Sequence, residues 1–127
     1  MARRAQRRCP RTRGSVTAET AVLLPVLLIV LAAAIGVLAC VAAQLRCVDA
    51  ARAAARVAAR GDTAALVRTA GERLAPPGAT VTLRSAGEGL VEVVVTAHVR
   101  PFGGALDALP AVPVSGRAVA ALEGGGP

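Results

Sequence analysis

The chain has no tryptophan, no tyrosine and no lysine, and only one phenylalanine and one histidine in 127 residues. Each shortage excludes something. Aromatic rings supply the largest buried areas per side chain, so a core without them must be thin. One histidine and three cysteines (Cys9, Cys40, Cys47), no two cysteines at zinc spacing, leave no metal set. Cys40 and Cys47 stand seven residues apart on what reads as one helix. That is about 10 Å at 1.5 Å per residue, too far for a disulfide. Both thiols are expected buried and inert, with an intermolecular disulfide through Cys47 as the alternative. His98 has no Cys, Ser or acid beside it in a nucleophile pattern, and reads as an exposed strand residue. Ser85 and Ser115 are turn or strand residues outside any nucleophile elbow, and the glycine-rich pieces lack a P-loop lysine. No catalytic residue, cofactor site or metal ligand is expected, and the chain does not read as an enzyme.

Acids are scarce too, eight against fifteen arginines, but the resulting charge of +7 is local. Six arginines (Arg3, Arg4, Arg7, Arg8, Arg11, Arg13) fall in the first thirteen residues with no acid among them; beyond residue 14, nine arginines face eight acids. Clustered arginine can bind nucleic acid. Placed directly before an apolar run, it reads instead as a topology signal that keeps this end in the cytoplasm, so no nucleic-acid partner is expected. Four further arginines beyond the run (Arg46, Arg52, Arg56, Arg60) dilute the bias, but they share Asp49. Exclusive use of arginine fits a GC-rich coding sequence as well as any demand for guanidinium.

What is abundant is apolar length. From Thr20 to Leu45 there are 26 uncharged residues, more than the roughly 20 that span a hydrocarbon core. A cleaved secretory signal has only about 7–15 apolar residues, although Val41-Ala42-Ala43 imitates a cleavage site. Pro25 lies inside the run and should kink or locally open the helix; such prolines are tolerated in membrane helices when neighbours satisfy the freed carbonyl. Gly36 and Ala32-Ala33-Ala34 offer a smooth surface for close helix packing. Glu19 stands at the start of the run. An ionised group within a membrane helix costs roughly 2.5–3.5 kcal/mol on insertion scales and calls for a partner.

The helix should continue past the membrane through residues 46–60, which are nearly all strong helix formers. Taking Arg46 as origin, Arg52, Arg56 and Arg60 fall at about 240°, 280° and 320°, with Asp49 at about 300°. This charged stripe reads as a solvated face, or as a contact with anionic headgroups or an acidic neighbour. Cys47, Val48, Ala51, Ala54, Ala55 and Ala58 line the other side, against which something packs closely. Gly61-Asp62-Thr63 breaks the helix, and Asp62 or Thr63 is placed to cap a short second helix to about Leu74. After Pro76-Pro77-Gly78 the pattern changes to period two. Val81 and Leu83 alternate with polar residues. Beyond a turn at Ala86-Gly87-Glu88-Gly89, Val91, Val93, Val95, Ala97 and Val99 do the same, which is a hairpin with one buried face. A Gly/Pro-rich loop over residues 101–112 leads to a third strand with Val114, Gly116, Ala118, Ala120 and Leu122 inward, and Gly124–Pro127 forms a flexible end.

The expected fold is α+β: a long N-terminal membrane-spanning helix packed on a small three-stranded antiparallel sheet. Its parts are a basic cytoplasmic leader (1–14), the long helix (15–60, span about 20–45) and a small extracytoplasmic domain (61–127). A domain that small is marginal alone, and the apolar face of the sheet needs the helix as its second layer.

The stretch Arg13-Gly14-Ser15-Val16-Thr17-Ala18-Glu19 resembles the class III prepilin processing site: glycine before the cut, the new first residue after it, glutamate fifth, with Pro25 eleventh. Gln44-Leu45-Arg46-Cys47-Val48-Asp49-Ala50-Ala51-Arg52-Ala53-Ala54-Ala55-Arg56 looks like the tail of the TadE-like family, bacterial minor pilins or pseudopilins of the tight-adherence (Flp) type IVb system. The resemblance covers residues 12–60. It implies that a membrane aspartyl prepilin peptidase cuts between Gly14 and Ser15 on the cytoplasmic face and leaves the span in the bilayer. The new amino terminus of one subunit then neutralises Glu19 of its neighbour as helices bundle. Other pilin and pseudopilin subunits and an inner-membrane assembly platform are the implied partners. Ser15 stands where other pilins carry an aromatic first residue, and Thr20 where major Flp pilins have tyrosine; the chain is also about twice their usual length. These departures favour a minor component over the shaft. Two alternatives stand beside this reading: an uncleaved single-pass anchored interaction domain, and a secreted small β protein cut after Ala43.

Overall fold

The computed structural model describes residues 13–103 and 108–123, with backbone alone for residues 13–15. Arg3, Arg4, Arg7, Arg8 and Arg11 of the basic leader, Cys9, the centre of the Gly/Pro-rich loop and the Gly124–Pro127 end lie outside the described residues. The elements are α1 (Arg13–Ala59), α2 (Ala64–Glu72), β1 (Thr80–Gly87), β2 (Leu90–Val99) and β3 (Val112–Ala121). The fold is α+β as expected. Contacts divide the chain into two compact units at Ala34/Ile35, inside α1 rather than at its end.

In the first unit, α1 starts at Arg13, two residues before the expected start, and passes through Pro25 without interruption. Every described side chain from Val16 to Ala34 is exposed. Among the described residues nothing buries this part of the helix.

The second unit begins with Ile35. Its half of α1 is the long layer laid on the sheet, and its inward side is made of alanine. Ala43, Cys47, Ala50, Ala51, Ala54, Ala55 and Ala58 are buried against Val81, Val93, Val95, Ala97 and Val114. Small residues on the helix bring backbone close to sheet, which replaces the volume that aromatic rings would have filled. The buried arc centres on Cys47 and Ala54, about 100° and 80° from Arg46. Val48, expected inward, therefore sits on the flank and is half-buried, while Ala50, not expected inward, is fully covered. Arg46, Asp49, Arg52, Arg56 and Arg60 are exposed, as the stripe required.

Gly61, at φ +77°, ends α1 in a conformation that side chains disfavour. Thr63 is the cap of α2: its hydroxyl accepts from the Leu66 amide at 3.5 Å, and Asp62 instead meets Arg60 at 3.4 Å. Val67 and Gly71 form the buried side of α2. Gly71 admits β1 closely, because an added Cβ there would lie 2.9 Å from a Val81 methyl.

The sheet order is β1-β2-β3, all antiparallel. Gly87 pairs with Leu90 across Glu88-Gly89, after a register shift between Ser85 and Gly87. The inward set on β2 is the expected one, with Val93, Val95 and Ala97 buried and Val91 and Val99 half-buried. β3 starts two residues earlier than Val114 and stops at Ala121, so Leu122 is not an inward strand residue. It is exposed, and its amide donates to the Gly89 carbonyl at 2.8 Å. The Glu123 amide then reaches the Ala59 carbonyl at 2.7 Å, tying the end of the sheet to the end of α1. On the outer face Arg117 and Glu92 pair at 3.2 Å, and His98 is exposed.

Candidate functional site

Two groups of residues carry the candidate chemistry. The first lies on the uncovered part of α1. Gly14 and Ser15 fall in the first turn of the helix, where amides lack intrahelical partners and the end frays easily. Glu19 is exposed, as are Leu23, Leu24, Leu27 and Leu28, each 53–66% accessible. Thr20 turns its hydroxyl back to the Val16 carbonyl at 2.8 Å, so its polarity is absorbed within the helix. An open apolar hollow of about 470 Å³ is lined by Thr20, Leu23, Leu24, Val26, Leu27 and Val30. The surface suits lipid tails or other apolar helices. Among the described residues Glu19 is the only carboxylate on it.

The second group runs from Gln44 to Arg56 and joins α1 to the sheet. Gln44 is the last polar residue of the uncharged run. Its side-chain amide makes two bonds to one residue of β3: Nε2 donates to the Ser115 carbonyl at 2.6 Å, and Oε1 accepts from the Ser115 amide at 3.1 Å. The side chain thus occupies the ladder position that a fourth strand would take. One turn further, Cys47 is completely buried and its thiol pKa is pushed up by the loss of water. An added Cβ on Gly116 would collide with the Cys47 carbonyl group and the Val48 nitrogen. Helix backbone therefore crosses strand backbone at that glycine. Cys40 is half-buried, and neither Cys40 nor Cys47 is bonded to another sulfur. Gly36, expected to face another helix, is covered from within the chain: Phe102 and Pro101 lie 3.1 and 3.3 Å from where its Cβ would be. The single aromatic ring takes the space that the missing side chain leaves.

The sequence model of the TadE-like protein family matches residues 14–56. These limits run from the glycine of the candidate cut to the last arginine of the second group. A protein named apoptosis inhibitor Rv3655c, from Mycobacterium tuberculosis (strain ATCC 25618 / H37Rv), is 36% identical over 107 residues, 84% of this chain and 78% of that relative. The chain belongs to the TadE-like family. The likeness to the mycobacterial relative is too long to stop at residue 56, so the TadE-like helix and most of the distal sheet both enter it. No solved structure matches the chain.

Seen on the fold, the TadE-like segment has a division of labour. Residues 16–35 are exposed and, apart from Thr17, Glu19 and Thr20, apolar; Gln44 holds the β3 edge, and the alanines after Cys47 are the floor under the sheet. Val16–Ala59 is the one stretch among the described residues long and apolar enough to cross a membrane, and it is compatible with a single-pass protein.

Proposed function

We propose that this TadE-like chain is a minor pilin, or pseudopilin, of a tight-adherence (Flp) type IVb pilus or a related secretion apparatus. In this reading the apolar part of α1 crosses the cell membrane with its amino end in the cytoplasm and the sheet domain outside. A prepilin peptidase cuts between Gly14 and Ser15. The protein acts as a structural subunit and not as an enzyme, joining other pilins at the inner-membrane platform to initiate or assemble the filament.

The observation that carries this reading is the uninterrupted exposure of α1 from Val16 through Ile35 around Glu19. Exposed apolar surface of this extent demands lipid or partner helices. A carboxylate on the same surface is tolerated where a positive group meets it. The Ser15 amino group released by the cut is such a group, and it stands four residues from Glu19 in the sequence. As helices bundle, the new terminus of one subunit neutralises Glu19 of its neighbour. Gly14 has poor helix propensity, which eases opening of the first turn for the peptidase. A secretory cut after Ala43 would instead divide α1 inside its buried stretch, just before Gln44.

The test is the amino-terminal residue of the protein from native membranes. We expect a start at Ser15 that disappears in Gly14→Leu. A start at Met1 or Ala2 in both proteins would refute processing and favour the uncleaved anchored domain. Glu19→Ala should still be cut yet enter assembled filaments poorly; wild-type incorporation would remove Glu19 from the mechanism.

A further inference from the structure

The sheet has two free edges that fit each other. Gln44 shows which backbone groups of β3 point outward: its side chain holds both the amide and the carbonyl of Ser115, so neither serves the ladder with β2. Backbone direction alternates along a strand. Pro113, Arg117, Val119 and Ala121 therefore aim their backbone groups at the same edge as Ser115. The first half of that edge is closed, since Pro113 has no amide proton and Ser115 is taken by Gln44. The second half is open. Arg117, Val119 and Ala121 are exposed, and among the described residues nothing bonds to their outward groups. Thr96, opposite Ser115, turns away from β3 and meets Thr80 on β1. Thr80, Thr82 and Arg84 thus face β2, and the backbone of Val81, Leu83 and Ser85 points outward from the other edge.

An unpaired edge is a template for another strand. β1 and β3 are parallel, each being antiparallel to β2. A second copy of the chain, shifted sideways without rotation, therefore brings its β1 against this β3 as a parallel pair. In a parallel ladder the bonding residues of one strand interleave with those of the other. These two edges meet that condition, because β3 bonds outward through residues of the outer face and β1 through residues of the inner face. We propose that β3 of one copy and β1 of a second form this ladder, making one continuous sheet from two copies. Val119 opposite Thr82 sets Val81 beside Ala118 and Leu83 beside Ala120, large against small, and ends before the register shift after Ser85. Charge selects this pairing over β3 against β3. α1 passes under β3 at Gly116, and Val48, Arg52 and Arg56 continue the row of Gln44 at four-residue spacing. Arg52 and Arg56 are exposed and have no ion pair among the described residues. Two facing β3 edges would oppose two such rows. The β1 edge instead borders an open groove of about 510 Å³, lined by residues 79–83 with Arg68 and Glu72 of α2, which offers a carboxylate. The pairing requires neither the cut at Gly14 nor a membrane.

The test expresses two differently tagged full-length copies together in a Cys9→Ser, Cys40→Ala background, one with Val119→Cys and the other with Thr82→Cys, and oxidises them. Disulfide-linked pairs carrying both tags are expected. Their yield should be at least about tenfold above that with Thr96→Cys in place of Thr82→Cys, because the neighbour's central strand lies one strand spacing beyond disulfide reach. Equal yields, or a link formed as readily between two Val119→Cys copies, would overturn the proposal. Val119→Pro removes an outward amide and no bond to β2. With Ala121→Cys in the same copy and Arg84→Cys in the other as the reporting pair, it should lower the yield about fivefold or more, the worth of one hydrogen bond. An unchanged yield would refute the ladder. Protection of the Cys47 thiol reports folding. If Val119→Pro exposes it, Ser85→Pro on the opposite edge decides in its place: a lowered yield supports the ladder and an unchanged one refutes it.

Discussion

Gly116→Ala is the smallest change that should separate the helix from the sheet. Gly116 pairs with Val95 in the β2–β3 ladder and faces α1. Its missing Cβ would overlap the Cys47 carbonyl carbon and oxygen and the Val48 nitrogen. Both sides of this clash are backbone, so no rotamer can relieve it. Restoring ordinary carbon contacts requires α1 to lift by about 1 Å or more, and a gap of 0.5–1 Å already forfeits roughly a quarter to a half of each dispersion well. Overpacking costs about 1–3 kcal/mol in general, and the upper end applies where neither partner is flexible. For a domain of this size each kcal/mol moves the melting point by roughly 4–8 °C, so a fall of about 12 °C or more is expected. The helical signal of α1 dominates and there is no tryptophan or tyrosine, so ordinary spectroscopy reports poorly on the sheet. Cys47 is the better probe. In a Cys9→Ser, Cys40→Ala background its alkylation rate as temperature rises gives the unfolding curve directly. Ser115→Ala, a neighbouring change on the exposed side of β3, is the control. A Gly116→Ala melting point within about 2 °C of the parent would refute the close crossing of α1 over β3.

Much of this architecture can be read from the chain before any coordinates. Alternation across Val91–Val99 identifies β2 and its buried face, and Gly61-Asp62-Thr63 marks the passage from one helix to the next, without deciding between Asp62 and Thr63 as the cap. The charged stripe, by elimination, shows which side of α1 is free. What local pattern does not contain is the phase and height at which one element meets another. The inward arc of α1 is centred on Cys47 and Ala54 because Gly116 lets the backbone in at Cys47. That glycine lies 69 residues further along the chain, in β3. Gln44 and Ser115 are likewise neighbours only in space, and Phe102 reaches Gly36 across most of the domain's sequence. The signals existed in weak form: a lone amide closing an uncharged run, a glycine between inward Val114 and Ala118, a single aromatic in a loop. Each becomes interpretable only with its partner. For the candidate cut the position is reversed, since Gly14, Ser15 and Glu19 are legible as a motif while the fold supplies only the exposed helix on which they stand.

Two further outcomes test the joint between helix and sheet. Gln44→Ala removes both partners of the Ser115 backbone at a solvent-accessible edge, where water replaces them in part. The expected cost is about 1 kcal/mol, seen as roughly five- to tenfold faster hydrogen exchange of the Ser115 amide; unchanged exchange would refute the clamp. Burial raises the Cys47 thiol above its ordinary value of 9.0. The unfolded chain therefore ionises first, and the folded state alone retains the proton as pH rises beyond that value. Stability is intact below the unfolded pKa and declines as pH climbs through the interval up to the raised folded one. Melting of the parent should thus fall with alkaline pH more steeply than melting of Cys47→Ala, measured by hydrogen exchange of β2 because the variant lacks the thiol. Parallel slopes for the two proteins would mean that Cys47 ionises in the folded domain as freely as in water, which its complete burial between α1 and β3 forbids.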